Sequence, residues 1–464
     1  MLTYPMEERG SLPLYEYLCR RIRADILSGV LPAGTRLPSK RALAEHLRVS
    51  VITVEGAYSQ LEDEGYLLAL PRRGFFVADV EQAPPAAGEP VFRRPPEAPP
   101  QLLDLSRNQV DTARFPVSTW ARLTRQVLTE APEALLSPVP HQGLPALRQA
   151  IAADLRDFRG MAVSPEQIVI GAGAEYLYLL LAQLLGRDTV FAVEDPGYPK
   201  IRQVYGAWGA ACVPIPLDGQ GVDPAVLAAS GAAALHISPN HQYPTGLVTP
   251  IARRQVLLRW AEETGGIIIE DDYDSEFRFT GRPIPTLQSI DRRGRVVYLN
   301  TFSQTISPSM RLGFLVLPPR LLERFRRELG FYACTVPALE QHVLSRFISG
   351  GHYERHLSRM RKEYRERRSQ VVEAFRSSAL APRVTFSEER SGLHFLLRLD
   401  TQRPDEELSR LAAQAGIRLS FLSEYAARPD PAFAHTLVVN YAGLSPQRLP
   451  ETVRLLSEVL LPLL

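Results

Sequence analysis

The sequence predicts an α/β protein in two parts: a small three-helix head with a β-hairpin wing, and a large body built on a buried, mostly parallel sheet. Three observations carry this. A segment with seven prolines (84, 85, 90, 95, 96, 99 and 100) interrupts the chain after Asp79; such a run favours extended polyproline II and acts as a semi-stiff spacer. Before it, apolar residues recur three times at helical spacing and then twice in short β-type runs. After it, continuous apolar runs of strand length alternate with helical stretches, the pattern of a sheet covered on both faces. The expected units are a head over 1–78, a linker over 79–101 and a body over 102–464. A chain of 464 residues also exceeds what one core usually supports.

In the head, Leu14, Leu18, Ile22 and Ile26 fall four apart and predict a first helix up to Gly29. Ser39 suits the N-cap of a short helix with Leu43 and Leu47 inward, and Ser50, after the turn Arg48-Val49-Ser50, caps a third with Val54, Ala57, Tyr58 and Leu61 inward. Tyr66–Leu70 and Phe75–Val77 flank Pro71-Arg72-Arg73-Gly74 as a hairpin. Short helix, tight turn, second helix and wing is the helix-turn-helix plan of a DNA-binding head.

In the body, strands are predicted at Ile168–Ile170, Thr189–Val193, Ala234–Ser238, Gly266–Ile269, Val296–Leu299 and Phe314–Leu317, and helices at Glu175–Leu185, Ile251–Glu263 and Leu321–Leu329. His394–Leu399 and Leu437–Tyr441, with helices between, predict a smaller α+β part.

Composition narrows the chemistry. Fifty-three basic and 51 acidic residues leave a net charge of +2, which excludes a generally polycationic nucleic-acid coat but not a local basic patch. The head alone carries ten basic and nine acidic residues. Only Lys40, Lys200 and Lys362 are lysines; arginine stays protonated and cannot act as an amine nucleophile. Cys19, Cys212 and Cys334 are far apart, so neither a disulfide framework nor a cysteine metal site is expected, and no metal is assigned. The opening MLTYPMEERG lacks the apolar stretch of a signal peptide, and the longest apolar run, Tyr176–Leu185, is about half of what spans a bilayer. A cytoplasmic protein without a membrane partner is expected.

The run GVLPAGTRLPSKRALAEHLRVSVITVEGAYSQLEDEGYL, followed by PRRGFFV, resembles the winged helix-turn-helix of GntR-type bacterial regulators. The stretches IVIGAGAEYLYLLLAQLL, EDPGYP, SPNHQYPTG, IIIEDDYDSEFRF and YLNTFSQTISPSMRLGFLVLP resemble a fold-type I aminotransferase. In this order the set resembles the MocR subfamily, in which a GntR head is fused to an aminotransferase-like body. The resemblance implies a fold-type I body with a large mixed, mostly parallel sheet domain and a smaller C-terminal α+β part. It also implies pyridoxal 5′-phosphate (PLP) as cofactor and a head-to-tail homodimer.

The residues themselves suit a phosphate-bearing ligand. Gly173 precedes a helix, whose free N–H groups and dipole hold phosphate, and Arg311 and Ser303 add charge-assisted contacts. Asp271 ends an apolar strand, where a buried carboxylate needs a cationic partner such as a protonated pyridine nitrogen. Tyr273, two residues on, is placed for the ring's phenolic oxygen, and Tyr198 for stacking. Asn240 and His241 in SPNHQYPTG are expected along the ring edge, without one role for either. His141, His236 and His352 are isolated and need no ligand role, and the 359–368 charge run reads as an exposed helix face.

Two departures from the family pattern matter. Where the family has TFSKxLSPxxRLG with its Schiff-base lysine, this chain has Gln304, an amide that cannot form that bond. Arg311 is kept seven residues on. Noncovalent PLP binding remains open, with a relocated bond at Lys200 as the lesser alternative. In the head, the recognition helix from Ser50 to Glu64 has no Lys or Arg, Val51 stands where an arginine is usual, and Glu55 opposes phosphate. The remaining DNA-binding candidates are Arg36, Ser39, Lys40, Arg41, Ser50, Thr53, Arg72, Arg73 and Gly74. Arg48 stands where the turn usually has glycine, at a cost of about 1 kcal/mol if its φ is positive. The family's substrate-carboxylate arginine is missing from the final strand HTLVVNYAG.

The expected function is therefore a regulator that binds double-stranded DNA and senses a small molecule, PLP or an amino compound, without transaminase turnover. The alternatives are a PLP-dependent aminotransferase with an accessory head, and a PLP-free regulator with a repurposed pocket.

Overall fold

Two serines start the head's short helices. In this computed structural model, which describes residues 2–80, 103–106, 110–130, 132–279, 284–387, 392–444 and 446–464, Ser39 Oγ accepts from Ala42 N and Ser50 Oγ accepts from Thr53 N. Helix α1 (Leu14–Leu27) is followed by α2 (Lys40–Leu47) and α3 (Val51–Asp63). They bury Leu18, Ile22, Leu43, Val54, Ala57, Tyr58 and Leu61 in one cluster. Arg48 ends α2 in the left-handed region, at φ 55°, which costs the expected ~1 kcal/mol. Strands β1 (Leu67–Leu70) and β2 (Gly74–Val77) pair antiparallel around a turn in which Arg72 (φ 61°) and Gly74 (φ 100°) both take positive φ. Most of the linker expected over 79–101 lies outside the described residues.

The chain divides into two units, Met1–Ala98 and Pro99–Leu464. The strands of the second are β3 (Leu103–Asp104), β4 (Ile168–Gly171), β5 (Phe191–Asp195), β6 (Cys212–Asp218), β7 (Gly221–Val222), β8 (Ala234–Ile237), β9 (Ile267–Asp271), β10 (Val296–Thr301), β11 (Gly313–Val316), β12 (Val384–Ser387), β13 (His394–Leu399), β14 (Ile417–Arg418) and β15 (Thr436–Asn440). Eight form one sheet in the order β4-β11-β10-β9-β8-β5-β6-β7. From β10 to β6 the neighbours run parallel, while β11 is antiparallel to both β10 and β4. A three-stranded antiparallel sheet, β12-β13-β15, forms the smaller part.

Strand alternation sets the layers. Ile269, Val297, Leu299 and Leu315 bury on one face with Leu177, Tyr178 and Leu181 of the helix Ala174–Leu185. Ile168, Ile170, Tyr298 and Phe314 bury on the other with Leu147, Ile151 and Val343 from the helices Pro145–Arg159 and Ala338–Ser349. Each such side chain contributes about 1.5–3 kcal/mol. Strand β6 is an addition to the sequence reading. Pro214 and Pro216 disguise it, yet they lie two apart on a strand that pairs with β7 only at Leu217 and Asp218, so most of its outer side needs no N–H donors. Strands β5, β8, β9 and β10 all deliver their C-terminal ends to one edge, where ligand sites of open α/β sheets form.

Candidate functional site

Asp271 closes β9, paired across the ladder with Leu299, and is 5% exposed. Its Oδ2 accepts the Tyr178 hydroxyl at 2.5 Å and lies 3.4 Å from His236 Nε2. His236 Nδ1 lies 2.7 Å from the Tyr205 hydroxyl. Burial, and then the charge of Asp271, push both tyrosines well above the usual phenol range, so both hydroxyls stay protonated. With Tyr205 donating to Nδ1, His236 presents Nε2–H to the carboxylate. Oδ1 of Asp271 accepts no hydrogen bond from the described residues, which leaves one oriented lone pair for an incoming cation or N–H. His236, read from sequence as isolated, is thus half of the support behind Asp271.

Tyrosines surround this carboxylate's end of the sheet. Tyr198 caps the helix Pro199–Trp208 and is about one-third exposed. Tyr243 meets Tyr198, Tyr273 and Tyr425 edge-on, at centroid distances of 5.9, 6.2 and 5.4 Å. Its hydroxyl lies 3.1 Å from that of Tyr425, which lies 2.9 Å from Ser420 Oγ. Neither Tyr243 nor Tyr425 was singled out in the sequence. Tyr243 sits inside SPNHQYPTG, but spacing alone does not say which residue of that loop turns inward. Asn240 donates to Asp272 Oδ1 and accepts from Arg254, and His241 Nδ1 lies 2.8 Å from Asp274 Oδ2 and 3.1 Å from the Tyr273 hydroxyl.

Gly173, Glu175, Lys200 and Arg311 come together at the N-terminus of the helix Ala174–Leu185. Gly173 takes φ 85° ahead of that helix, a backbone conformation that favours glycine, and a Cβ there would lie 2.8 Å from the Arg311 guanidinium. Glu175, on the first turn, bridges Arg311 (2.5 Å) and Lys200 (2.8 Å). Against the opposing effect of burial, hydrogen bonds from those two cations hold it down at about 2. A carboxylate thus sits between a helix N-terminus and two cations, an arrangement that favours its charged form. The hydrogen bond from Lys200 to Glu175 pushes the lysine up, which keeps its amine protonated. Ser303 and Gln304 lie half-buried in the turn after β10, and Gln304 Oε1 is buried without a hydrogen-bond partner.

A separate cleft on the other side of the sheet is lined by Asp154, Arg159, Glu276, Tyr298, Asn300 and Tyr353, among others. It shares no residue with the tyrosine-lined site.

In the head, Ser39 and Ser50 serve as caps, and Thr53 Oγ1 lies 2.8 Å from Ser50 Oγ. Lys40 Nζ binds Glu55 Oε1 at 2.7 Å and lies over the Phe75 ring. Arg73 lies over Phe76, and Arg36 bridges that same strand beside Gly74. Arg41 and Arg72 are exposed. The front of α3 presents Val51 and Ile52, 42% and 79% exposed.

Residues 14–77 match the bacterial regulatory proteins of the gntR family. Over its whole length the chain is 36% identical to the Bacillus subtilis HTH-type transcriptional regulator YhdI, covering 99% of that protein. It is 33% identical to the rhizopine catabolism regulatory protein MocR of Rhizobium meliloti over 99% of this chain and 96% of that one. It is 35% identical to the pyridoxine biosynthesis transcriptional regulator PdxR of Corynebacterium glutamicum over 88% of each. Among solved structures, the kynurenine aminotransferase of Pyrococcus horikoshii superposes with a TM-score of 0.68 at 23% identity, over 78% of this chain and 91% of that one. This likeness shows a fold-type I aminotransferase-like body. No helix among the described residues is long and apolar enough to cross a membrane.

Proposed function

The chain belongs to the MocR branch of the GntR family of bacterial transcriptional regulators, and we propose that its body binds PLP noncovalently as an effector and does not turn it over. The observation that carries this is the Asp271 carboxylate, held by Tyr178 and His236 with Oδ1 left open; an amide, Gln304, at the position of the family's lysine supports it. The donor set fits the group. Asp271 would hold the ring nitrogen, with Tyr198, Tyr243 and Tyr273 around the ring. The N–H groups after Gly173 and the Arg311 guanidinium would hold the phosphate, the Gly173 cradle being one that a Cβ would fill. When bound, PLP supplies an aldehyde that amines attack. Gln304 has no amine to take part, and Lys200, ion-paired and protonated, is a poor substitute.

Glu175 favours a second reading, in which the pocket takes a ligand without phosphate and the carboxylate keeps its two cations. One titration separates them. Wild-type protein and Gln304→Lys are mixed with PLP, and visible spectra are recorded before and after borohydride. The expected result is reversible, dialysable binding in the wild type and a borohydride-fixed adduct at position 304 only in the variant. A fixed adduct at Lys200 of the wild type overturns the noncovalent reading; no binding to either form supports the phosphate-free one.

The head binds double-stranded DNA through phosphate contacts from Arg36, Arg41, Arg72 and Arg73, with the apolar front of α3 in the groove. The protein acts in the cytoplasm as a head-to-tail homodimer. The exposed Leu136, Phe331 and Tyr332 of the body, 89%, 76% and 40% accessible, support a partner surface. Light scattering at several concentrations tests the dimer, and a monomer throughout overturns it.

A further inference from the structure

Next to the tyrosine-lined site lies a cluster that the proposed function does not use. His241 follows β8, Asp274 follows β9 and His394 opens β13, so three separate stretches of chain meet here. The three are 3%, 2% and 2% exposed, and one potential donor atom from each lies within 4.8 Å of the others. The imidazole rings are 4.9 Å apart, and His241 Nδ1 is 2.8 Å from Asp274 Oδ2.

The hydrogen bonds determine which nitrogens are free. His394 Nε2 lies 3.0 Å from the Pro244 carbonyl, which can only accept, so the proton is on Nε2 and the lone pair on Nδ1. That Nδ1 is buried with no partner, and so is Nε2 of His241. Buried polar nitrogens are nearly always paired, because leaving one unpaired costs about 1–3 kcal/mol. The unpaired His394 Nδ1, beside the buried pair of His241 and Asp274, indicates a missing partner. The Pro244 carbonyl also plays the part of the acceptor that orients a metal-bound histidine through its other nitrogen.

We propose that His241, Asp274 and His394 form a binding site for a divalent first-row transition ion of the Zn2+ type. Two imidazoles and one carboxylate are a donor set these ions favour over Ca2+ or Mg2+. At metal–donor distances of about 2.0–2.2 Å, tetrahedral donors stand roughly 3.3–3.5 Å apart, so the side chains need only small rotations. The ion takes the place of the proton between His241 Nδ1 and Asp274 Oδ2; His241 keeps one proton, on Nε2, and so binds as a neutral imidazole, and any second proton leaves to solvent. The Tyr273 hydroxyl, 3.1 Å from His241 Nδ1, is the nearest further oxygen. A narrow cavity lined by His241, Asp274 and Gly392, together with the cations Arg159 and Arg278, adjoins the site. Because the ligands come from the C-terminal edge of the large sheet and from β13, an ion here clamps the small sheet to the large one.

The test uses the full chain, stripped with chelator and without added PLP, so its outcome is separate from that of the PLP titration. Co2+ is titrated while ligand-field absorption is followed, then displaced with Zn2+. X-ray absorption of the Zn2+-loaded wild type counts imidazole ligands. The expected results are one Co2+ per chain with tetrahedral or five-coordinate bands, two imidazole nitrogens at about 2.0–2.1 Å in the Zn2+ form, and at least tenfold weaker binding in His394→Gln and Asp274→Asn. Substoichiometric binding, titrations unchanged in both variants, or a Zn2+ spectrum without an imidazole pair overturns the proposal. The absorption measurement on wild type stands even where a variant fails to fold.

Discussion

Lys40 at the start of α2 reaches across to Glu55 on α3, with 2.7 Å between Nζ and Oε1. The one lysine of the head is therefore paired with an exposed acidic residue of α3. The pair is half-exposed and adds less than about 1 kcal/mol to stability. Its effect is on DNA: Glu55→Gln frees one cation and removes one repulsive charge. The expected outcome is tighter binding and a salt slope steeper by about one phosphate contact, or roughly 0.9 in log–log units. Fluorescence anisotropy over a salt series measures both, and an unchanged slope would show that Lys40 does not reach phosphate.

With no basic side chain on α3, apolar contact from its exposed first turn is expected to contribute to base reading. Ile52 is the most exposed residue of its first turn and is suited to thymine methyls. Ile52→Ala is expected to weaken cognate DNA by about 1–3 kcal/mol while leaving non-cognate binding and the salt slope alone. Arg72→Ala and Arg73→Ala should do the reverse, weakening all sequences alike. Equal loss on cognate and random DNA for Ile52→Ala would remove this residue from base reading.

Removing Asp271 unpairs what supports it. Asp271→Ala leaves the Tyr178 hydroxyl and His236 Nε2 without their buried acceptor, at a cost of about 1–3 kcal/mol in urea unfolding. It also removes the partner of the ring nitrogen, so PLP binding should be lost. Tyr178→Phe should keep binding measurable and cost less. PLP affinity unchanged in Asp271→Ala would place the ligand elsewhere.

Burial pushes Glu194, at the end of β5, up to about 8 from its ordinary 4.5. In the fold it holds its proton through neutral pH, whereas the unfolded chain releases it. The stability it contributes is full below the unfolded value, falls as pH rises from about 4.5 toward 8, and is gone above that. Glu194→Gln, which keeps an acceptor for the Ser238 N–H, should flatten this part of the curve of Tm against pH. A wild-type curve that rises with pH across this window, with no difference in the variant, would contradict the assignment.

Much of this site was readable from the chain because its markers are local. Asp271 and Tyr273 end an apolar strand, Gly173 starts a helix, and Gln304 stands out against a family pattern. What escaped depends on crossovers. Glu175 gains meaning only when Lys200 and Arg311 arrive from two other stretches, and His236 only when Tyr205 and Asp271 flank it. Tyr243, Tyr425 and His394 meet from segments up to 182 residues apart. Strand β6 escaped for a different reason, its two prolines being the usual mark against a strand.

The place of β11 has a consequence for the order in which the protein matures. β4 is the first strand of the large sheet to be made, yet its sole neighbour in that sheet is β11, about 145 residues later in the chain. At ordinary translation speeds the ribosome takes roughly 7–30 s to cover that distance, and during that time β4 exposes unpaired N–H and C=O groups. The head, whose helices and wing all lie within the first 77 residues, has no such wait. A nascent chain therefore displays a finished helix-turn-helix head while its large sheet still lacks the partner of β4.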